Sequence, residues 1–253
     1  MLALKFPPIN ELIRWRDIFS NFNKVGLIAV LAALISIVVF LLAANKDPLK
    51  APKGVRNFAE STVTFIENDI VMQTMGKEGL PWTPFLLSIF TFVYLCNVPG
   101  IIPLFQMPAT ARMALPLFLA LIVWVIYNIV GFKHNGFKYI GGMVWPHGVP
   151  IGMRPLVGVI EFLSNIILRP FSLAVRLFAN MLAGHMLLIT FAFLTNALFF
   201  AETKQLMLKP MSILPFFMLV FLTAFEVLVG LLQAYIFTIL TAVYIDAARN
   251  PVH

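Results

Sequence analysis

Residues 170–200 read PFSLAVRLFANMLAGHMLLITFAFLTNALFF, and Arg176 and His185 are the only titratable side chains in this otherwise apolar run. Placing an arginine at the centre of a lipid bilayer costs roughly 2.5 to 3.5 kcal/mol on insertion scales. Such residues usually face a wet cavity or a charged partner, and they mark an ion or substrate path. The run therefore predicts a membrane helix in which Arg176 serves a function.

The composition of the whole chain points to the membrane as well. Of the 253 residues, 60% are hydrophobic and 11% are charged, whereas about 25% are charged in a typical soluble domain. Lipid requires every backbone polar group to be satisfied within its own segment, so we expect an all-α integral membrane protein with about five membrane-embedded helices. Apolar runs long enough to cross about 30 Å of hydrocarbon occur at 25–44, 85–105, 113–132, 170–200 and 210–245.

The pattern of apolar runs and breakers predicts one membrane domain over residues 1–253. The last two runs exceed the thickness of a bilayer, which predicts either steep inclination or kinks at Gly184, Pro215 or Gly230. Pro170 is typical of a helix start. The expected segments are an interfacial N-terminal segment 1–24, a first transmembrane helix 25–44, an amphipathic surface segment 45–83, a transmembrane pair 85–132, a short helix 156–168 and a tilted helical hairpin 170–248.

Several classes of function find no support in the sequence. It contains no phosphate-binding loop, zinc-ligand spacing or nucleophile elbow, so we expect no bound cofactor or metal and no nucleotide-hydrolysing site in this chain. The formal net charge is +7, but the Lys and Arg residues lie in short loops beside the apolar runs. Membrane lipid headgroups account for that placement, and we expect no nucleic acid partner.

The last two runs predict an antiparallel hairpin. A polar cluster at 202–209, which contains Glu202, Lys204, Gln205 and Lys209, is the only plausible turn between them. In a hairpin that folds symmetrically about this turn, residues at equal depth have numbers that sum to about 411. This register sets Arg176 opposite Gln233 or its neighbours, and His185 opposite Glu226.

Helical periodicity sorts these polar residues into two layers. Asn180 follows Arg176 by four residues and shares its face, whereas the step from Arg176 to His185 turns the helix by about 180°. One layer is expected to hold Arg176, Asn180 and Gln233, and the second to hold His185 and Glu226. No other acidic residue sits clearly at the depth of Arg176, so we expect its carboxylate partner to come from another subunit.

The stretch 169–185, RPFSLAVRLFANMLAGH, resembles the hallmark of subunit a of F-type ATP synthases. Glu226 and Gln233, seven residues apart before an apolar run that ends at Tyr244 and Ile245, are similar to the family's last helix. Residues 97–103 resemble its Asn...Gly-Leu-Ile-Pro element. The actinobacterial, mycobacterial-type members look most similar.

This resemblance implies a non-catalytic subunit that supplies two offset proton half-channels to a rotating ring of c subunits, coupling proton flow to rotation and ATP synthesis. Arg176 would attract each ring carboxylate and bar a direct proton leak between the half-channels. The implied partners are the c-ring, the b subunits of the peripheral stalk and membrane lipid, in a bacterial plasma (inner) membrane that the chain crosses several times. The residues implied in the proton relay are His185, Glu226, Gln233, Asn180 and, in the inner half-channel, Glu161.

Other interpretations of the same residues stay open at this point. Asn180 and Gln233 could serve only as a hydrogen bond between helices, and Glu161 could simply reach the membrane interface. A purely structural assembly subunit is one alternative function. Another is a secondary transporter or ion channel with an intramembrane Arg/His/Glu network, although such transporters are often built from internal repeats and none is detected here.

Overall fold

A computed structural model describes residues 24–43, 54–102, 108–136, 139, 141, 153–200 and 209–250. These residues form helices and turns, with no β-strand among them. The N-terminal segment up to residue 23 and the expected turn residues Glu202, Lys204 and Gln205 lie outside the described part. The main helices are α1 Lys24–Ala43, α2 Val55–Phe65, α3 Thr83–Asn97, α4 Ala114–Asn135, α5 Arg154–Leu163, α6 Arg169–Phe199 and α7 Ile213–Arg249.

Among the described residues, five helical runs are long and apolar enough to cross a membrane, which confirms the predicted all-α membrane fold. Many of their large apolar side chains point outward, as lipid contact requires; Leu41 and Leu42 of α1, for example, are 67% and 70% exposed. The five runs are Val25–Leu42, Gly76–Gly100, Ala114–Asn135, Arg154–Phe199 and Pro210–Arg249.

The segment that leads into the second membrane run is an irregular helix. From α2 the chain continues through a π-helical segment, Ile66–Val71, and a last turn, Met72–Thr74, to a 3-10 segment, Gly76–Trp82. Ile66 and Ile70 are fully buried, and the π-helical segment packs against α3 and α7. One face of this amphipathic helix therefore closes the core, and the other carries its polar residues.

Helices α5 and α6 differ from the prediction, because no break separates them. A π-helical segment, Ser164–Leu168, joins them into one run of 46 residues, Arg154–Phe199. Pro170 lacks an N–H and cannot make the usual α-helical hydrogen bond. The altered hydrogen bonding of a π-bulge just before the proline allows the helical backbone to pass through it.

The two arms of the hairpin are continuous helices. No interruption occurs at Gly184 in α6 or at Gly230 in α7, and Pro215 lies in the first turn of α7. At 1.5 Å per residue, runs of 46 and 40 residues extend roughly 69 and 60 Å. That is about twice the hydrocarbon thickness, so the two arms must incline steeply, bend or continue beyond the hydrocarbon.

The core is built around α6 and α7. Helix α4 packs against both of them, and α3 packs against α7. Small residues such as Ala174 and Ala234 are completely buried at these contacts, which lets the helix backbones approach closely, as is typical of membrane helices. Larger side chains, including Tyr127, Leu177 and Phe237, fill the remaining space.

Two other parts of the chain hold the end of α7. The Asn135 side chain at the end of α4 donates hydrogen bonds to the carbonyl oxygens of Ala248 and Arg249, at 3.1 and 3.4 Å. The Arg249 guanidinium in turn donates to the Glu78 carbonyl oxygen at 3.0 Å and to the Glu78 carboxylate at 2.6 Å. These contacts satisfy backbone acceptors that a helix C-terminus leaves unpaired, and they fix the position of α7 at this end.

Candidate functional site

Arg176 lies on a stripe of α6 that faces away from the other described helices. Ser172, Ala179, Ala183 and Leu187 follow the three- and four-residue spacing of one helix face with Arg176. These four residues are exposed and Arg176 is half-buried. The stripe consists mainly of small side chains, so another helix can approach α6 closely at the level of Arg176.

The guanidinium of Arg176 has no partner within the part of the chain that the structure describes. No hydrogen bond or ion pair reaches it from those residues, whereas Arg56 pairs with Glu60 and Arg249 with Glu78. A guanidinium carries five N–H donors and cannot be deprotonated in proteins. The position therefore offers a permanent positive charge to the outside of the helix hairpin.

Asn180 and Gln233 form the layer next to Arg176. The Asn180 side-chain N–H donates a hydrogen bond to Gln233 Oε1 at 2.8 Å. Gln233 is 2% exposed, whereas Asn180 lies on the outward-facing side of α6. This bond confirms that the two residues share one layer, and it connects the surface near Arg176 with the buried interior between α6 and α7.

The second layer contains two buried ionisable side chains. His185 is 5% and Glu226 is 6% exposed, and His185 points inward, as the predicted half-turn from Arg176 requires. The Glu226 carboxylate rests against Gly184, where an added Cβ would collide with it. No hydrogen bond or ion pair joins His185 to Glu226 in the described residues, so the two share a depth without direct contact between their polar atoms.

The contacts between the two arms confirm the predicted hairpin register. Met181 approaches Gly230 midway between the two layers, with its Cε 3.9 Å from a Cβ built on that glycine. The three observed pairs are Asn180 with Gln233, Met181 with Gly230, and Gly184 with Glu226. Each pair lies within two residues of the predicted alignment.

Glu161 is not part of either layer. It lies on α5, half-buried, and precedes Arg176 by fifteen residues of the same helical run, roughly 20 Å along the axis. His185 and Glu226 lie on the opposite side of Arg176 along the hairpin. Polar groups thus lie on both sides of Arg176 along the helix axis, with Glu161 on one side and the two polar layers on the other.

Gly184 is the residue that sequence reasoning missed. Its place in the long run 170–200 predicts only a kink site. In the structure its missing side chain makes room for the Glu226 carboxylate. The hairpin register, which pairs residue 184 with residues near 227, is the one sequence signal that could have identified this role.

These features define a helical membrane protein with a fixed charge and buried ionisable groups in a long hairpin. Comparison with known proteins narrows the class further. Residues 26–246 match the model of the ATP synthase A chain family. The relatives called ATP synthase subunit a include those of Frankia alni (41% identity, 89% of this chain, 77% of the relative), Streptomyces lividans (40%, 94% and 84%) and Rhodococcus erythropolis (39%, 90% and 82%).

The chain belongs to the ATP synthase subunit a family. It is a proton-translocating subunit of the membrane sector of F-type ATP synthase, where it works with partners such as the c-ring. The similar proteins are mostly actinobacterial, as the sequence predicted. This membership removes the secondary transporter and the independent ion channel from the alternatives.

The contact between Gly184 and Glu226 generates a prediction. In Gly184→Ala the new methyl group displaces the Glu226 carboxylate, and we expect ATP-driven proton pumping by vesicles that contain the whole synthase to fall roughly tenfold, which corresponds to about 1.4 kcal/mol in the rate-limiting barrier. Combining it with Glu226→Asp, which withdraws the carboxylate by one methylene, should restore part of the rate.

Gly230→Ala is the matched control, because a Cβ there meets its neighbours at ordinary contact distances of 3.5 and 3.9 Å. Equal losses in Gly184→Ala and Gly230→Ala would show that any added methyl group disturbs the hairpin, and that the carboxylate is not the specific target.

Proposed function

We propose that Arg176 is the fixed charge that each carboxylate of the c-ring meets in turn, and that it separates two proton half-channels. The observation that carries this proposal is the outward-facing stripe of small residues on α6 with one half-buried guanidinium in it. A permanently charged group attracts an ionised carboxylate and repels a proton that would pass directly between the half-channels. Proton flow is thereby tied to ring rotation and ATP synthesis.

The relay on the loop side of Arg176 is assigned to His185, Glu226, Gln233 and Asn180. His185 and Glu226 are groups that exchange protons in the physiological range when their environment tunes them. The hydrogen bond from Asn180 to Gln233 extends polar contact from this buried interior to the helix face that carries Arg176. Protons would travel between the buried pair and the ring along this route.

The opposite half-channel is assigned to the side of Glu161, the one described carboxylate of the α5–α6 run. Because Arg176 keeps a permanent positive charge between the two offset half-channels, a proton has to ride on the ring to pass from one to the other. Each proton that crosses contributes about 2.3 kcal/mol per 100 mV of membrane potential, which a leak at this position would waste.

The same proposal places the chain in a bacterial plasma membrane. The c-ring would contact the α6 stripe, and the b subunits of the peripheral stalk and membrane lipid would cover other outward-facing helices. The amphipathic helix that begins with α2 would lie along the membrane surface.

Replacing the arginine tests the proposal most directly. In vesicles that contain the whole synthase, Arg176→Ala and Arg176→Lys should both abolish ATP-driven proton pumping. Alanine removes the charge, and lysine can lose its proton when it is buried, whereas arginine cannot.

The control is Arg249→Lys, which makes the same exchange at an arginine whose contacts lie at the end of α7. It should retain coupled pumping. Preserved coupling in either Arg176 variant would refute the proposed role.

Substitution of the buried carboxylate tests the relay. Glu226→Gln keeps the shape of the side chain but cannot titrate, so proton pumping should slow by at least about tenfold and its dependence on pH should change. His185 stays in place as the other titratable group of this layer. A pumping rate with an unaltered pH profile would show that Glu226 does not carry protons.

A further inference from the structure

A pair of buried polar side chains meets α7 between the two layers of the site. Thr110 Oγ1 donates a hydrogen bond to Asn97 Oδ1 at 2.6 Å, and Asn97 Nδ2 donates to the carbonyl oxygen of Gly230 at 3.3 Å. Asn97 is 1% and Thr110 0% exposed. A carbonyl oxygen can only accept, so this arrangement fixes which way the Asn97 amide points.

The two residues come from separate parts of the chain. Asn97 is the last residue of α3, and Thr110 lies in a short 3-10 turn, Ala109–Ala111. The following residue, Ala111, packs against Met181 of α6 and Val229 of α7. The turn is thus wedged among α3, α6 and α7.

Gly230 occupies a particular place on α7. It follows Glu226 by four residues and precedes Gln233 by three, so all three lie on one helix face. On this face Gly230 also meets Met181 of α6. The hydrogen bond from Asn97 therefore attaches to α7 midway between the contact of Glu226 with α6 and the contact of Gln233 with Asn180.

Burial makes this attachment selective for one arrangement of α7. The Asn97 amide has no access to water, and its N–H would be left without the Gly230 carbonyl if α7 turned or slid, while the Thr110 hydroxyl keeps the Asn97 amide oxygen in place. Apolar contacts alone would tolerate a small rotation of α7 more readily, because they are not directional. The hydrogen-bonded pair therefore favours the rotation observed.

We propose that Asn97 and Thr110 are positioning residues of the proton path. Through the Gly230 carbonyl they hold α7 so that Glu226 lies against Gly184 and Gln233 lies within hydrogen-bonding distance of Asn180. They accept and release no proton themselves. This inference rests on the proposed function, since it assigns the two residues a role only through the relay side chains that they orient.

Thr110→Val tests the proposal, because valine keeps the shape of threonine and removes the hydroxyl donor. ATP-driven proton pumping by the whole synthase, normalised to the amount of assembled complex, should fall by about threefold or more. Thr110→Ser keeps the hydroxyl and should restore most of the rate. Equal rates for the Val and Ser variants would overturn the proposal.

Thr238→Val is the matched control. Thr238 is equally buried and lies on α7, but its hydroxyl donates only to Ala234 of the same helix, at 2.8 Å. It should pump at close to the normal rate. A loss as large as that in Thr110→Val would assign the effect to burial of any valine in this core, against the proposal.

A double substitution separates positioning from general packing. Where Glu226 is already Gln, adding Thr110→Val should cost clearly less than it does in the unmodified chain, because one of the two relay side chains that the pair orients no longer titrates. Losses that multiply would overturn the proposal. If the Val variant fails to assemble, Thr110→Ala, which cannot overpack, takes its place in the same comparison with Thr110→Ser.

The outcome is independent of the test on Arg176. An unaffected Thr110→Val beside an inactive Arg176→Ala would reject the positioning role and leave the proposed function standing. Coupled pumping in Arg176→Ala would reject the proposed function, whatever the Thr110 variants do.

Discussion

A guanidinium that keeps its charge at every accessible pH cannot be placed in an apolar surrounding without an answering charge or water. Arg176 meets this constraint on the outward side of α6, where it is half-buried and no carboxylate of the described chain reaches it. The proposed function assigns its electrostatic partner to another molecule. In that proposal the c-ring, with which this family works, is the neighbour that approaches the α6 stripe.

The close packing of α6 and α7 brings polar groups of the two helices together. Two long helices must lie side by side so that polar groups on one reach groups on the other, and glycine makes this possible at the depth of Glu226. Gly184 has no Cβ, and the carboxylate occupies that space. Further along, the hydrogen bond between Asn180 and Gln233 links the buried interior to the outer face. The Glu226 carboxylate, the space at Gly184 and the hydrogen bond between Asn180 and Gln233 thus all lie along the contact between α6 and α7.

Much of this arrangement could be predicted from the sequence. The apolar runs indicated five membrane helices, and the polar turn at 202–209 gave the hairpin register, because a helix advances by a constant rise per residue. The half-turn between Arg176 and His185 likewise predicted that one faces outward and the other inward. These predictions succeeded because they depend on helix geometry, which the local sequence determines.

Other features could not be predicted, because they depend on contacts between distant segments. Pro170 indicated a helix start, yet a π-helical segment carries the helix through it. Gly184 indicated a kink, whereas its role in making room for the Glu226 carboxylate depends on the position of the facing helix. The hydrogen bonds from Asn97 to Gly230 and from Thr110 to Asn97 join residues up to 133 positions apart, which no local pattern reveals.

The central claim concerns the partner of one guanidinium, and a structure of the assembled synthase in its membrane sector tests it most directly. The account predicts that a carboxylate of the c-ring approaches the Arg176 guanidinium to within about 4 Å, the usual limit of an ion pair, across the α6 stripe. A map in which Arg176 is already paired with an acidic side chain of its own chain, or faces away from the ring, would contradict it.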